Sequence, residues 1–323
     1  MKLIKKLLEK LNGLYYPQEY LCLAKESFQQ PLNLYLVHNG RVVEDITKLH
    51  AFVGYCPLLF VFPSLSEIND KASIEVAFSS QMLKQGEVYR NRDVIAFLSF
   101  RKIREQSTGS GKLYYYKGVH GKHRFTSAFH QFIMQLHNQL YNRKQGNVFL
   151  KGNLYKQVQI AYAIPRKICL ITAGMNGLYN LFPTDLHGQV NEGYYVISLR
   201  HEGRACQQVE AVQKIVLSDM LVSAFKRVYA LGKNHMQPLK EASAFDFSPY
   251  YSDVFHLPLP QNHVAYKELQ LEDSFVEGIH KLLLFKIVSS KQVIHTPETL
   301  THVHNSYATW RHERGLPGNY FLR

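Results

Sequence analysis

Asn180, Pro183, Thr184 and Asp185 stand close together in a stretch of small, polar and turn-forming residues running from Gly174 to Gly193. Two apolar, strand-like runs, Ile168–Thr172 and Tyr194–Arg200, frame that stretch. A polar loop held between buried strands can present backbone N–H groups and hydroxyls to a flat, phosphate-bearing ligand. Arg200 closes the second run and Arg204 follows it, and the planar fork of a guanidinium matches phosphate oxygens. A helix predicted over Arg204–Gln213 would add unpaired N–H groups and a favourable dipole at its N-terminus. Cys206 falls at the start of that helix, where a thiolate is favoured, although a structural role suits it better. Asp185 is an odd neighbour for a phosphate, since like charges repel at short range.

The elements that must position these residues read as mainly β with α+β character. In the first half, Leu32–His38 and Arg41–Asp45 are predicted strands around Asn39-Gly40, a strong hairpin signal. Pro57–Pro63, Ile74–Phe78, Asp93–Arg104 and Lys112–Gly118 follow as further strands. Phe125, Phe129, Phe132, Ile133, Leu136 and Leu140 recur at helical spacing and predict a helix over Phe125–Tyr141. The polar segment Asn142–Gly146 is the expected boundary between an N-terminal α+β domain, 1–146, and a second domain, 147–323. Helices are expected at Cys206–Gln213 and Leu221–Ala230, a polar aromatic loop at Ala242–Asp253, and strands at His263–Gln270 and Ile279–Lys291.

The chain has 323 residues, enough for two cores, with 46% hydrophobic and 20% charged residues, an ordinary soluble balance. No apolar run is long enough to span a bilayer. The opening MKLIKKLLEKLNGL reads as a basic amphipathic helix without the continuous apolar region of a secretory signal. Four scattered cysteines, Cys22, Cys56, Cys169 and Cys206, lack C-x-x-C spacing and suit a reducing cytoplasm. The net charge of +13 lies mostly in residues 1–150, which hold 20 Lys/Arg against 11 Asp/Glu, while 151–323 hold 18 against 14. No nucleic-acid-binding motif accompanies that basic excess, so solvated surface is the expected reading.

Other motifs fall away on their chemistry. STGSGKL at Ser107–Leu113 lacks the first glycine and the final hydroxyl of a P-loop and lies between strands, so it reads as a hairpin loop. His123, His130 and His137, and separately His302, His304 and His312, bring no carboxylate or thiolate partner suited to a metal. No G-x-S-x-G elbow exists to support a hydrolase triad.

The stretch Ile171-Thr172, Gly174–Gly177, Asn180-Leu181-Phe182-Pro183-Thr184 and Val196-Ile197-Ser198-Leu199-Arg200 resembles the flavin reductase-like family, the FMN-binding split barrels. Gly203-Arg204-Ala205-Cys206 stands where that family opens a helix, and Lys214–Ser218 where its next strand runs. Gly278-Ile279-His280 stands in place of its Gly-Asp-His strand, with Ile279 at the aspartate and Lys286 at a later glycine. The resemblance covers roughly residues 150–323 and implies a C-terminal split β-barrel that binds FMN non-covalently. It implies that Asn180, Leu181, Phe182, Pro183, Thr184 and Asp185 line the ring and ribityl chain, with Arg200 and Arg204 at the phosphate and Ser198 and Cys206 also contacting the cofactor. It further implies that His280 sits near the ring or a nicotinamide as the candidate catalytic residue. Tyr320, and with it Trp310, would cover the ring. Members are usually homodimers with the flavin at the subunit interface; here the first half is alternatively a diverged second barrel supplying that wall. The expected function is an FMN-binding oxidoreductase using NAD(P)H, a flavin reductase-like enzyme. The alternatives are a non-catalytic flavin-binding protein, or a basic scaffold or nucleic-acid-binding protein that has lost flavin.

Overall fold

A computed structural model describes residues 14–15, 18–24, 26–63, 73–88, 93–141, 148–295, 298–318 and 320–322. The basic helix expected at the N-terminus and the boundary expected at 142–146 lie outside these residues. Among the described residues no helix is long and apolar enough to cross a membrane.

After a short strand β1 (Tyr20–Leu23), seven strands build a first antiparallel sheet. They are β2 (Asn33–His38), β3 (Arg41–Asp45), β4 (Ala51–Tyr55), β5 (Leu58–Pro63), β6 (Ser73–Ser79), β7 (Ala96–Thr108) and β8 (Gly111–His123). Asn39 and Gly40 both take positive φ, 50° and 72°, giving the expected tight hairpin between β2 and β3. Ser107–Leu113 forms the tip of the β7–β8 hairpin, as its composition suggested. Helices α1 (Ala128–Tyr141) and α2 (Asn153–Ala161) follow.

The second sheet begins after the two-residue β9 (Arg166–Lys167). It comprises β10 (Cys169–Met175), β11 (Leu178–Thr184), β12 (His187–Asn191), β13 (Tyr194–Arg200), β14 (Lys214–Met220), β15 (Lys240–Glu241), and the long hairpin described next. A separate small ribbon pairs β16 (Phe247–Tyr251) with β17 (Pro258–Pro260), and β18 (His263–Glu277) and β19 (His280–Gln292) complete the main sheet. Helix α3 (Arg204–Val212) joins β13 to β14, and α4 (Phe225–Ala230) lies before β15. The stretch 174–193, expected to be a loop, is instead mostly β11 and β12. Its Asn176-Gly177 pair takes φ of 54° and 77°, so it turns the chain as tightly as Asn39-Gly40 does.

The two sheets share one topology. Read from one edge, the first runs β4-β5-β8-β7-β6-β2-β3 and the second β12-β13-β19-β18-β14-β10-β11, with β15 added outside β11. With the two-residue β15 left out and the remaining seven strands numbered by chain order within each sheet, both read third, fourth, seventh, sixth, fifth, first, second. Neither sheet closes: edge strands β12 and β15 do not pair, nor do β3 and β4, so the expected barrel is not hydrogen-bonded shut. β4 and β12 face each other instead, close enough that a Cβ on Gly188 would meet Ala51 Cβ at 2.7 Å.

The three largest apolar clusters that bear on the site are as follows. One lies inside the first sheet and takes in α2 residues such as Val158, together with Val303, Tyr307 and Trp310 from β20 (Thr301–His304) and α5 (Asn305–His312). Another lies inside the second sheet under α3. The third lies between the sheets, where Val53, Leu59, Val61 and Tyr115 meet Tyr194, Val196, Leu282 and Leu284. β20 pairs with both β1 and β9, so the chain's last strand returns to its first. The helix expected over Phe125–Tyr141 forms as α1 from Ala128, and most of the apolar stripe that predicted it faces outward. Phe129, Phe132, Leu136 and Leu140 are exposed, while Met134 and Asn138 face the body.

Candidate functional site

The residues singled out from sequence divide into two sets. Pro183, Thr184, Asp185, Ser198, Arg200, Cys206 and His280 line one cavity of about 370 Å³. It opens where the β11–β12 corner, the end of β13, the first turn of α3 and the start of β19 converge, and Tyr55 of the first half closes one side.

Asn180, Leu181, Phe182, Arg204 and Tyr320 are placed elsewhere. Asn180 is fully buried, and its Nδ2 donates to Gln208 Oε1 (2.7 Å) and to the Asn234 carbonyl (3.0 Å), tying β11 to the helical side. Leu181 packs beside Met220, and Phe182 belongs to the core of the second sheet. Both follow from β11 being a strand, which sends alternate side chains into opposite layers. Arg204 is exposed and borders a different depression with Met175 and Gln207. Tyr320 packs against the first core, bonded through its carbonyl to Ala24 N (3.0 Å), and Trp310 is buried in that same core.

His280 occupies the centre of the contact between the halves. Its Nε2 accepts from the backbone N–H groups of Tyr55 (3.1 Å) and Cys56 (3.2 Å). Two donors at Nε2 leave the proton on Nδ1, which donates to Ser198 Oγ at 2.9 Å. Burial, with Arg200 and His201 nearby, pushes this imidazole down to about 4, so it is neutral near pH 7. Both ring nitrogens are therefore committed, and His280 has no proton to offer a ligand. The ring thereby fixes Ser198, whose own O–H remains to donate. Gly278 makes the approach possible, because at its φ of +63° a Cβ would lie 2.3 Å from Pro57 Cδ and 2.5 Å from the Cys56 carbonyl. Ile279 bonds through its N–H to that carbonyl (3.2 Å), a backbone task indifferent to its side chain.

At the mouth, exposed Arg200 reaches Tyr55 Oη at 3.1 Å. Gly203 caps α3 without a side-chain bond, and a Cβ there would press the Arg200 carbonyl at 3.1 Å. The Cys206 and Gln207 N–H groups turn back to the Gly203 carbonyl. Helix geometry gives the N–H groups of Arg204 and Ala205 no partner within α3. Cys206 carries no thiolate: burial, and Glu210 beside it, push its thiol up to about 11. Neutral His235 lines the opposite wall and donates from Nε2 to the Pro183 carbonyl (2.8 Å).

Asp185, besides lining this cavity, is held by two further side chains. Its Oδ2 accepts from Tyr162 Oη (3.2 Å) and His302 Nδ1 (2.8 Å), while His302 Nε2 meets Tyr229 Oη. Burial would raise its pKa, but the His302 bond and the nearby Arg166 outweigh that and hold it below the usual carboxylate range. These groups border a second cavity of about 470 Å³, which shares Tyr55, Asp185 and Arg200 with the first.

Tyr55, His235 and Tyr229 escaped the sequence reading, and His302 was weighed there only as a metal ligand. Tyr55 stands 225 positions from His280, beyond any local pattern. The His302-x-His304 pair was a visible signal, but its partners, Asp185 and Tyr229, come from distant elements.

No family model matches the chain, and no curated protein matches it. Among solved structures, the chain is similar to the NADH:FAD oxidoreductase of Streptomyces globisporus, with 12% identity over 47% of this chain and 89% of that one, at a TM-score of 0.40. It is similar to an FMN-binding protein from Thermus thermophilus at 15% identity, covering 40% of this chain and 72% of that one, TM-score 0.35. The styrene monooxygenase flavin reductase of Pseudomonas putida matches at 15% identity over 46% and 93% of the two chains, TM-score 0.36.

Proposed function

We propose that this protein is an FMN-binding oxidoreductase of the flavin reductase-like, split-barrel kind, which takes hydride from NADH or NADPH. The observation that carries the reading is the cleft at the β13–α3 corner. There Arg200 and the uncapped first turn of α3 stand at the mouth of a cavity of about 370 Å³. That donor set fits a phosphate, and the space behind it fits a flat ring between the Pro183–Leu186 corner and Tyr55. Arg200 and the α3 N–H groups would hold the phosphate. Ser198, oriented by His280, would donate to a ring oxygen or nitrogen. The neighbouring cavity beyond Tyr55 would take the second substrate. A bound flavin supplies the hydride chemistry itself, so the protein's work is to bind, orient and exclude water. A flavin-binding protein without turnover is the second reading, favoured by the commitment of both His280 nitrogens.

The experiment is a titration with FMN and with riboflavin, which lacks the phosphate. Arg200→Ala should weaken FMN binding roughly ten- to a hundredfold, the loss of one charged hydrogen-bonding partner, and leave riboflavin nearly unchanged. Equal losses for both ligands would remove Arg200 from the phosphate role.

A further inference from the structure

The common strand order of the two sheets is joined by reciprocal contacts between them. The β18–β19 hairpin, closed by the Glu277–His280 pair, sets the Ile279 N–H on the Cys56 carbonyl in the β4–β5 turn. The β7–β8 hairpin, closed by the Thr108–Gly111 pair, sets the Gly109 N–H on Tyr194 Oη at the β12–β13 turn, 3.1 Å away. Each half thus inserts the same hairpin against the same turn of the other. An apolar layer contributed by equivalent strands lies between them. This is the arrangement of a two-fold dimer, drawn within one polypeptide.

The two sides of that arrangement have diverged in their chemistry. Aligning the closing pairs places Gly111 where the second half has His280. Two pairs further on, Pro63 opposite Leu113 stands where Ser198 stands opposite Leu282. β5 ends at Pro63, so none of its residues stands opposite Gly111 as Arg200 stands opposite His280. Among the described residues of the first sheet, Ser198, Arg200 and His280 therefore have no counterparts.

We infer that the first half is a built-in partner subunit: it supplies the Tyr55 wall and the two N–H groups that hold His280, has given up its own cleft, and leaves one complete ligand site per polypeptide. The site needs no second copy of the chain. The count of one ligand rests on the flavin reading, whereas the intramolecular contact does not.

The test uses the full chain and a Phe132→Glu/Leu136→Glu variant, which strips the exposed stripe of α1 and any association made through it. Sedimentation velocity identifies species of one-chain mass, and amide hydrogen exchange is then followed at Tyr55 and Cys56 in that species. The inference expects both amides to be protected there, and His280→Ala to speed their exchange about tenfold or more. FMN titration of the same species should saturate at one per chain. Free exchange of those amides in the one-chain species, protection only in a two-chain species that the stripe variant also forms, or two FMN per chain would overturn it. Absence of any FMN binding alongside protected amides would refute the flavin reading and leave the built-in partner standing.

Discussion

At the level of single residues, His280 shows how a side chain suited to proton transfer is spent on architecture. Removing it strands the Tyr55 and Cys56 N–H groups in a buried contact, and an unpaired buried donor costs about 1–3 kcal/mol. His280→Ala is therefore expected to lose about 2 kcal/mol or more of unfolding free energy in chemical denaturation. Its pH signature is as informative. His280, with a pKa near 4 in the fold against 6.5 when free, is neutral in the native state and takes up a proton on unfolding between those values. Stability is thus intact above about pH 6.5 and falls as pH drops toward 4. His50, His123 and His187, each pushed by burial to about 4, act in the same direction. Near pH 5, His280→Ala should flatten the slope of stability against pH by about 1.4 kcal/mol per unit, the value for one proton. An unchanged slope would mean that His280 is not held neutral. Pro183, Thr184, Ser198, Arg200, Cys206 and His280 were legible as neighbours because they lie beside strand ends or a helix start. Asn180 and Arg204 were not correctly placed, since a strand's two faces and a helix's exposed side cannot be told apart without knowing what packs where.

Elements were read best where one local signal dominated. Asn39-Gly40 announced its hairpin, and strands were expected at His263–Gln270 and Ile279–Lys291, where β18 and β19 run, although β18 continues to Glu277. The same dipeptide at Asn176-Gly177 was absorbed into an expected loop because the strand it opens, β11, carries Asn180, Pro183 and Thr184, residue types that read as turn-forming. The helical period of α1 was real, but period alone does not say which side meets the core. Glycine positions sharpen the account at this scale. Gly278→Ala would force a Cβ into the Cys56-Pro57 turn at a left-handed φ, whereas Gly177, at φ +77°, has open space around it. Gly177→Ala should cost about 1 kcal/mol, the left-handed penalty alone. Gly278→Ala should cost clearly more, about 3 kcal/mol, as strain and overpacking add. Equal losses in denaturant melts would contradict the interlocked contact between the halves.

For the whole molecule, the question is what holds the two sheets together. Arg104 and Asp273 pair across them at 2.7 Å, and Lys117 and Glu277 at 2.7 Å, yet these side chains are roughly a quarter to two-fifths exposed. Solvent-screened pairs of this kind contribute about 1 kcal/mol or less, so Asp273→Ala should barely shift the unfolding midpoint. Leu284, buried between the sheets, should cost about 2–5 kcal/mol as Leu284→Ala. The reverse ranking would mean that charge, not apolar packing, joins the halves. The duplicated strand order was invisible in the sequence because β-pairing is non-local: Arg200 meets His280 and Pro63 meets Leu113 through registers that no short window contains. The matching register positions also carry different side chains, Gly111 and Pro63 in the first sheet against His280 and Ser198 in the second.

The central claim is that the cleft beneath Arg200 holds a flavin that a nicotinamide reduces. The most direct measurement is the visible absorption spectrum of the purified full chain after incubation with FMN and desalting, followed by anaerobic addition of NADH or NADPH. The account expects retained flavin bands that bleach on addition of one of the two nucleotides. Bands that persist unbleached with both would leave a flavin-binding protein without turnover, and a protein that stays colourless after reconstitution would contradict the claim.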